Sequence, residues 1–303
     1  MYDRLKLLLD LKNENLVEYF KVTITTPHTG RFFSVAIMME LCSDGDLGTR
    51  MREIALARNR LEYSTVKHYA RDIAGGLSYL HKKNIIHGDL KPGNVLIRTL
   101  QSGCERLLLC DMDDFVKMQE RSTCSRDVTH IRGTYRYMSP EMLRTFVTPE
   151  AKSVKKNPPG RKTDVWSLGC IMLKLLYHVT GRHHEYLFKG MKVVEADDKI
   201  RDSRYMSLVI EGYAPLIPVL TESNLVTICI ERCLQTNSEH RISCDQAQAL
   251  LSQVGNIQEV LFCCTESFPA SKLTVLACRL QVITHSCLIL LLIQYASSRC
   301  QRI

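Results

Sequence analysis

The 303-residue chain contains no internal repeat, no low-complexity tract and no C-x-x-C pair among its 13 cysteines. The first two absences exclude repeat architectures and linker-like chains, and the third removes the usual zinc and dithiol motifs. The first ten residues carry Asp3 and Asp10 rather than the apolar core of a signal peptide, so a reduced, cytoplasmic compartment is expected. Charge of one sign is also scarce. Lys and Arg number 40 against 32 Asp and Glu, leaving +8, which suits an anionic ligand but is too mild for a nucleic-acid binder, and no nucleic-acid partner is expected. What is there is 45% apolar and 24% charged residues, a globular balance that rules out wholesale disorder and a polytopic membrane protein.

Up to about Val260, periodic apolar segments alternate with short polar connections. Leu16 to Val22 and Phe32 to Leu41 are short and rich in β-branched and aromatic residues, with Pro27 and Gly30 between them, and read as two strands of a hairpin. From Ser64, taken as N-cap, Val66, Tyr69, Ala70, Ile73, Leu77 and Leu80 recur at three- and four-residue spacing and predict a long amphipathic helix. Asp164 to His178 is apolar on most faces, which predicts a central buried helix ending at Gly181. Two more helices are expected at Leu225 to Gln235 and Cys244 to Gln253. Cys229 and Cys233, one turn apart without matching ligands, read as packing residues. Ala151 to Lys162 holds Lys152, Lys155, Lys156, Arg161 and Lys162 around Pro158, Pro159 and Gly160 and reads as an exposed basic loop. Ser267 to Ile303 has no acidic residue. Its stretch Leu273 to Ile293 is long enough to cross a bilayer, but Arg279 within it costs roughly 2.5 to 3.5 kcal/mol on insertion, so a helix packed on the body or a tail without a fixed fold is expected ahead of a C-terminal membrane anchor.

The chemistry concentrates in Ile85 to Ile97, which reads I-I-H-G-D-L-K-P-G-N-V-L-I. One loop there holds a carboxylate, a cation two residues on and a carboxamide three beyond that. Phosphoryl transfer to a hydroxyl needs such a set: a base to orient the nucleophile, a cation beside the moving phosphoryl group and an oxygen ligand for magnesium. Asp89, Lys91 and Asn94 fit those three roles. With these residues the chain resembles the eukaryotic protein kinases, whose catalytic loop is H-R-D-L-K-P-x-N; His87 matches and Gly88 replaces the Arg. Asp111-Met112-Asp113, seventeen residues past Asn94, stands where the family has D-F-G, which makes Asp111 a magnesium ligand and Asp113 a departure, with Asp114 as an alternative register.

Further matches follow in order. Gly133-Thr134-Tyr135-Arg136-Tyr137-Met138-Ser139-Pro140-Glu141 is similar to the end of a kinase activation segment. The resemblance implies that Thr134 bonds Asp89 and Lys91, and that Glu141 pairs with Arg241 in a structural, buried ion pair. Asp164-Val165-Trp166-Ser167-Leu168-Gly169 matches the family's central helix, where Asp164 holds the catalytic-loop backbone. Met39 falls at the gatekeeper position, Glu40 and Cys42 would offer backbone groups to adenine, and Asp46 would reach the ribose. Lys91 and the Gly133-Thr134 start resemble serine/threonine rather than tyrosine kinases. Loss of the Arg at Gly88 argues against activation by a phosphate on the activation segment, where Ser122, Thr123, Ser125 and Thr129 lie.

The expected fold is α+β and protein-kinase-like, with a mainly helical C-lobe over 42–260, a partial N-lobe over 1–41 made of the end of a helix, around Leu5 to Leu9, and two or more strands, and a tail of uncertain fold over 261–303. ATP with magnesium is the implied nucleotide, and a protein with a Ser or Thr acceptor the implied partner. No G-x-G-x-x-G occurs in the 303 residues and no V-A-I-K-type strand precedes the hairpin, so the chain reads as N-terminally truncated relative to the family. Two readings stay open: an active serine/threonine kinase seen without its upper lobe, and a pseudokinase-like binding module for which Gly88 and Asp113 are symptoms.

Overall fold

A computed structural model describes residues 7–25, 34–111, 116–117, 135–147, 160–181, 206–213, 215–218 and 225–253. Residues 151–159 of the basic stretch, Thr134, residues 112–114, the activation-segment Ser and Thr residues, and the tail 261–303 lie outside the described residues, while Arg161 and Lys162, expected in that loop, open a helix instead.

The elements follow from local sequence. Two strands, β1 (Tyr19–Thr25) and β2 (Ser34–Met39), pair antiparallel with Val22 opposite Ile37 and an irregularity between Tyr19 and Lys21. Helix α1 (Leu47–Leu56) starts at Asp46, whose carboxylate accepts from the Thr49 N–H. Helix α2 (Tyr63–Lys82) turns its apolar stripe inward, burying Val66, Tyr69, Ile73, Leu77 and Leu80. Three short strands and a contact strand follow: β3 (Ile85–Ile86), β4 (Val95–Thr99), β5 (Glu105–Leu109) and β6 (Val116–Lys117), paired antiparallel as β3 with β6 and β4 with β5. Helices α3 (Pro140–Val147), α4 (Arg161–Thr180), α5 (Leu225–Cys233) and α6 (Cys244–Ser252) follow.

Helix α4 is the centre of the core. It buries Val165, Trp166, Leu168, Ile171, Met172, Leu173, Leu175 and Leu176, and packs against α2 and α5. A helix apolar on nearly every side has no stable place except between other elements. It ends where Gly181 takes φ +72°, the left-handed conformation that closes a helix most cheaply with glycine. Helix α2 approaches β5 closely: a Cβ on Gly76 would come within 2.8 Å of the Asn15 carbonyl and of a Leu109 methyl. Both neighbours are tied together, since Leu109 N–H donates to Asn15 O and Val17 N–H to Leu109 O, each at 2.9 Å.

Several boundaries depart from the sequence expectation. The strands occupy Tyr19–Thr25 and Ser34–Met39 rather than Leu16 to Val22 and Phe32 to Leu41; Leu16 makes only an isolated bridge to Leu109. Glu62, not Ser64, stands at the cap of α2, and no side chain caps that end. Helix α4 begins three residues before Asp164, at Arg161 after Gly160. Helices α5 and α6 stop at Cys233 and Ser252, short of Gln235 and Gln253. Helices α1 and α3 were not foreseen. Among the described residues no helix is long and apolar enough to cross a membrane. Cys229 and Cys233 are buried side by side, and burial first, then the hydrogen bond with Cys229, pushes the Cys233 thiol well up, as packing residues rather than ligands would be.

Candidate active site

The catalytic loop hangs from α4. The Asp164 carboxylate, 1% exposed, accepts from the backbone N–H of His87 and of Gly88, both at 2.9 Å, and from His81 Nε2 at 2.8 Å. Its burial pushes the carboxyl upward, but the His81 hydrogen bond, the charges of His81 and His87 and the Gly88 N–H outweigh that and hold it below the usual carboxylate range. His87 in turn places Nε2 3.1 Å from the Cys110 carbonyl, which joins the loop to the end of β5. Gly88 takes φ +77°. An L side chain is strained there, so the residue that departs from the family is one the backbone accepts without penalty.

Beyond Gly88 the polar set converges. Lys91 Nζ donates to Asp89 Oδ2 at 2.6 Å, and both side chains stay partly open to solvent, 32% and 23%. Asn94, at the end of the 3-10 turn Pro92–Asn94, is buried and donates Nδ2 to the Asp89 carbonyl at 2.9 Å. That leaves its Oδ1 as the atom able to hold a cation. Cys110 N–H donates to the Asn94 carbonyl at 3.0 Å, so the chain leaving β5 passes the loop just before Asp111. Asp111 is exposed and held at φ +59°, a region Asp enters more readily than most residues. One carboxylate and one carboxamide oxygen form the donor set magnesium accepts, since that ion keeps several waters and takes phosphate oxygens for the rest. The residues present therefore fit magnesium together with the phosphates of ATP.

The chain segment after β2 shapes the other side. Met39 is 47% exposed at the end of β2. Glu40 N–H donates to the Glu18 carbonyl at 2.8 Å, so of its backbone groups only the carbonyl is left for a ligand. Its carboxylate is spanned by two elements, accepting from Glu18 N–H at 2.9 Å and from Arg98 Nη1 at 2.7 Å. Burial, then the Glu40 charge, pushes the Cys42 thiol up, with Arg98 opposing. Asp46 accepts from Thr49 N–H at 2.9 Å and Thr49 Oγ1 at 2.7 Å. Sequence reasoning assigned Asp46 to ribose alone; its first task is capping α1, and each oxygen keeps a lone pair for a further donor.

Glu141 and Arg241 form the remaining constellation. Arg241, with no side-chain exposure, forks onto Glu141 through Nη1 to Oε1 at 2.6 Å and Nη2 to Oε2 at 2.8 Å. Its other donors go to carbonyls of Gln235 at 2.7 Å and Lys162 at 3.0 Å, and its guanidinium lies 5.0 Å over the Trp166 ring. Burial opposes ionisation of Glu141, yet the Arg241 hydrogen bond and charge hold its carboxyl low. Sequence reasoning missed His81 and Arg98. His81 lies six residues before His87 on the last turn of α2, and Arg98 reaches a carboxylate 58 residues away, so neither spacing carries a recognisable signal.

Comparison with known proteins places this geometry. The family described as protein kinase domain matches residues 1–251. The chain is 28% identical over 235 residues to the serine/threonine-protein kinase BCK1/SLK1/SSP31 of Saccharomyces cerevisiae, covering 77% of this chain and 13% of that protein. It is 30% identical over 187 residues to mitogen-activated protein kinase kinase kinase 4 of Homo sapiens, covering 61% and 10%. With the serine/threonine-protein kinase ULK3 of Rattus norvegicus it shares 28% over 211 residues, covering 69% and 37%. The chain thus spans between a tenth and two fifths of the length of these curated relatives. Catalytic loop, central helix and family match agree: the chain belongs to the protein kinase domain family, with its α+β fold.

Proposed function

We propose that this chain carries out the transfer of the γ-phosphoryl group of ATP to a Ser or Thr hydroxyl of a protein substrate. The observation that carries the reading is the Asp89, Lys91 and Asn94 cluster, in which Asp89 is held by a 2.6 Å contact to Lys91 and by Asn94 on its carbonyl. In this mechanism Asp89 aligns the acceptor hydroxyl and takes its proton as the new O–P bond forms and ADP departs. Lys91 offsets charge on the moving phosphoryl group, and Thr134 would bond both residues. Asn94 and Asp111 would hold magnesium, which neutralises the phosphate oxygens when bound. Adenine would lie against Met39, the Glu40 carbonyl and the Cys42 backbone, with the ribose near Asp46. His87, Asp164, Glu141 and Arg241 position rather than react.

Replacing Asp89 by Asn tests the reading. Nucleotide affinity should stay within about twofold while turnover falls on the order of 100- to 10,000-fold, the usual contribution of a general base. Turnover that persists in that variant rejects Asp89 as the base. A second reading, a nucleotide-free binding module, is favoured by one feature, Asp113 where the family has Gly. A folded chain that never binds ATP with magnesium in calorimetry would establish it.

A further inference from the structure

The segment between the β1–β2 hairpin and α1, residues 40–46, is laid along β4. The Ile97 N–H donates to the Gly45 carbonyl at 2.9 Å and the Thr99 N–H to Asp44 Oδ2 at 2.7 Å, while Asp46 bridges Leu96 in antiparallel sense. Strand β4 thus pairs with β5 along one edge and receives this segment along the other. Val95 and Ile97 are buried in the core, which leaves Leu96 and Arg98 on the opposite face of the strand. From there Arg98 Nη1 reaches Glu40 Oε2 at 2.7 Å. The other Glu40 oxygen accepts the Glu18 N–H at 2.9 Å, so this one carboxylate joins β4 to the residues that flank the hairpin on both sides.

Sheet stability alone does not explain an Arg at this place. Its partner across the β4–β5 ladder is Arg106, and like charges directly opposite each other destabilise a sheet. The pair is tolerated because each guanidinium has its own carboxylate, Glu40 for Arg98 and Glu14, at 2.9 Å, for Arg106. With the Arg98 side chain 36% exposed and that of Glu40 17%, their contact is partly withdrawn from water, where screening is weaker. Its place along the strand ties it to the chemistry. Asn94 stands immediately before β4, and Arg98 follows four residues later, roughly 13 Å along an extended strand. One short strand therefore runs from the carboxamide that would hold magnesium to the clasp on the segment that would meet adenine.

We propose that Arg98 is a positioning residue for the nucleotide: by clasping Glu40 it holds residues 40–46 along β4, and so sets the affinity for ATP rather than the rate of phosphoryl transfer. This deepens the phosphoryl-transfer reading and rests on it for the identity of the ligand, though not for the clasp itself. A segment that leaves β4 part of the time binds nucleotide only in the remaining fraction, and the apparent dissociation constant rises by the inverse of that fraction.

The experiment uses the full 303-residue chain, with MgATP titrated in calorimetry and in steady-state turnover, and hydrogen exchange read at the Ile97 and Thr99 amides. Arg98→Ala should raise both the Kd and the KM for ATP roughly fivefold and leave kcat within about twofold. Arg98→Lys, which keeps a cation on the strand, should recover most of the affinity. Exchange at the two amides should quicken in Arg98→Ala while the amides of α4 keep their wild-type rates. In a Glu40→Ala background the Arg98→Ala change should add little, since the two side chains act as one unit. Quickened exchange with an unchanged Kd would overturn the role in nucleotide binding, and so would a loss of kcat and stability with no change in KM. A full Arg98→Ala effect in the Glu40→Ala background would overturn the clasp. Should the wild-type chain bind no MgATP, the transfer reading and the nucleotide role are overturned together, whereas quickened exchange still upholds the clasp and equal exchange overturns that too.

Discussion

At the scale of the residue, Gly88 shows how a departure from the family pattern is read differently in three dimensions. In the sequence it is the loss of an Arg; in the fold it is a residue at φ +77° whose N–H is donated to Asp164. Replacing it by Ala forces an L residue into the left-handed region and should cost about 1 kcal/mol. The denaturant midpoint of Gly88→Ala measures this, and an unchanged midpoint would mean the loop relaxes to another backbone. Because the neighbouring residue is Asp89, the same variant should also slow turnover more than it weakens nucleotide binding. The catalytic loop itself was legible because its residues act by identity at fixed short spacing, so Asp89, Lys91 and Asn94 could be named before any contact was known. Their supports were not legible. His81 and Arg98 act through distance in space, and their sequence neighbours give no sign of the carboxylates they meet.

At the scale of the element, periodicity decided what could be read. Helices α2 and α4 carry long apolar repeats, and their cores were plain; their first residues were not, because α2 starts without a side-chain cap and α4 starts in polar sequence. Helix α1 was missed for a physical reason. Gly48 and Thr49 in its first turn are weak helix formers, and Asp46 was read for the ribose without the N-cap role that its geometry also gives it. That assignment has a measurable consequence. Asp46→Ala should destabilise the chain by about 1 kcal/mol, and because α1 lies on the 3-10 turn at Pro92–Asn94, it should raise the KM for ATP as well. Asp46→Asn, which keeps the cap acceptor, should recover most of the stability. Equal losses in both variants would show that the carboxylate charge, rather than the cap, holds the helix.

At the scale of the whole molecule, the fold is joined across its length by carboxylates held below their ordinary range. Asp164 ties α4 to the catalytic loop, and Glu141 ties α3 to Arg241 beyond α5. Asp46 adds a third case at the start of α1. A group that binds its proton less readily when folded contributes stability above its unfolded pKa and loses it as the pH falls through the folded one. With unfolded values near 4 for Asp and Glu, these contributions should be complete at neutral pH and decline below about pH 4. Asp72 runs the other way: burial raises its pKa despite His68 and the Leu107 N–H. Its effect favours the folded chain in acid, is lost as the pH rises through its folded pKa, and so offsets part of the decline. The net expectation is a denaturant midpoint steady from pH 8 to 5 that drops steeply toward pH 3. Glu141→Gln isolates one of these parts. It leaves the Arg241 guanidinium buried without its counter-charge, so stability at pH 7 should fall by about 3 kcal/mol, while the acid slope becomes shallower because one linked proton is gone. A variant that loses stability at pH 7 but keeps the full slope would place the acid sensitivity on Asp164 instead, and with it the attachment of the catalytic loop to the central helix.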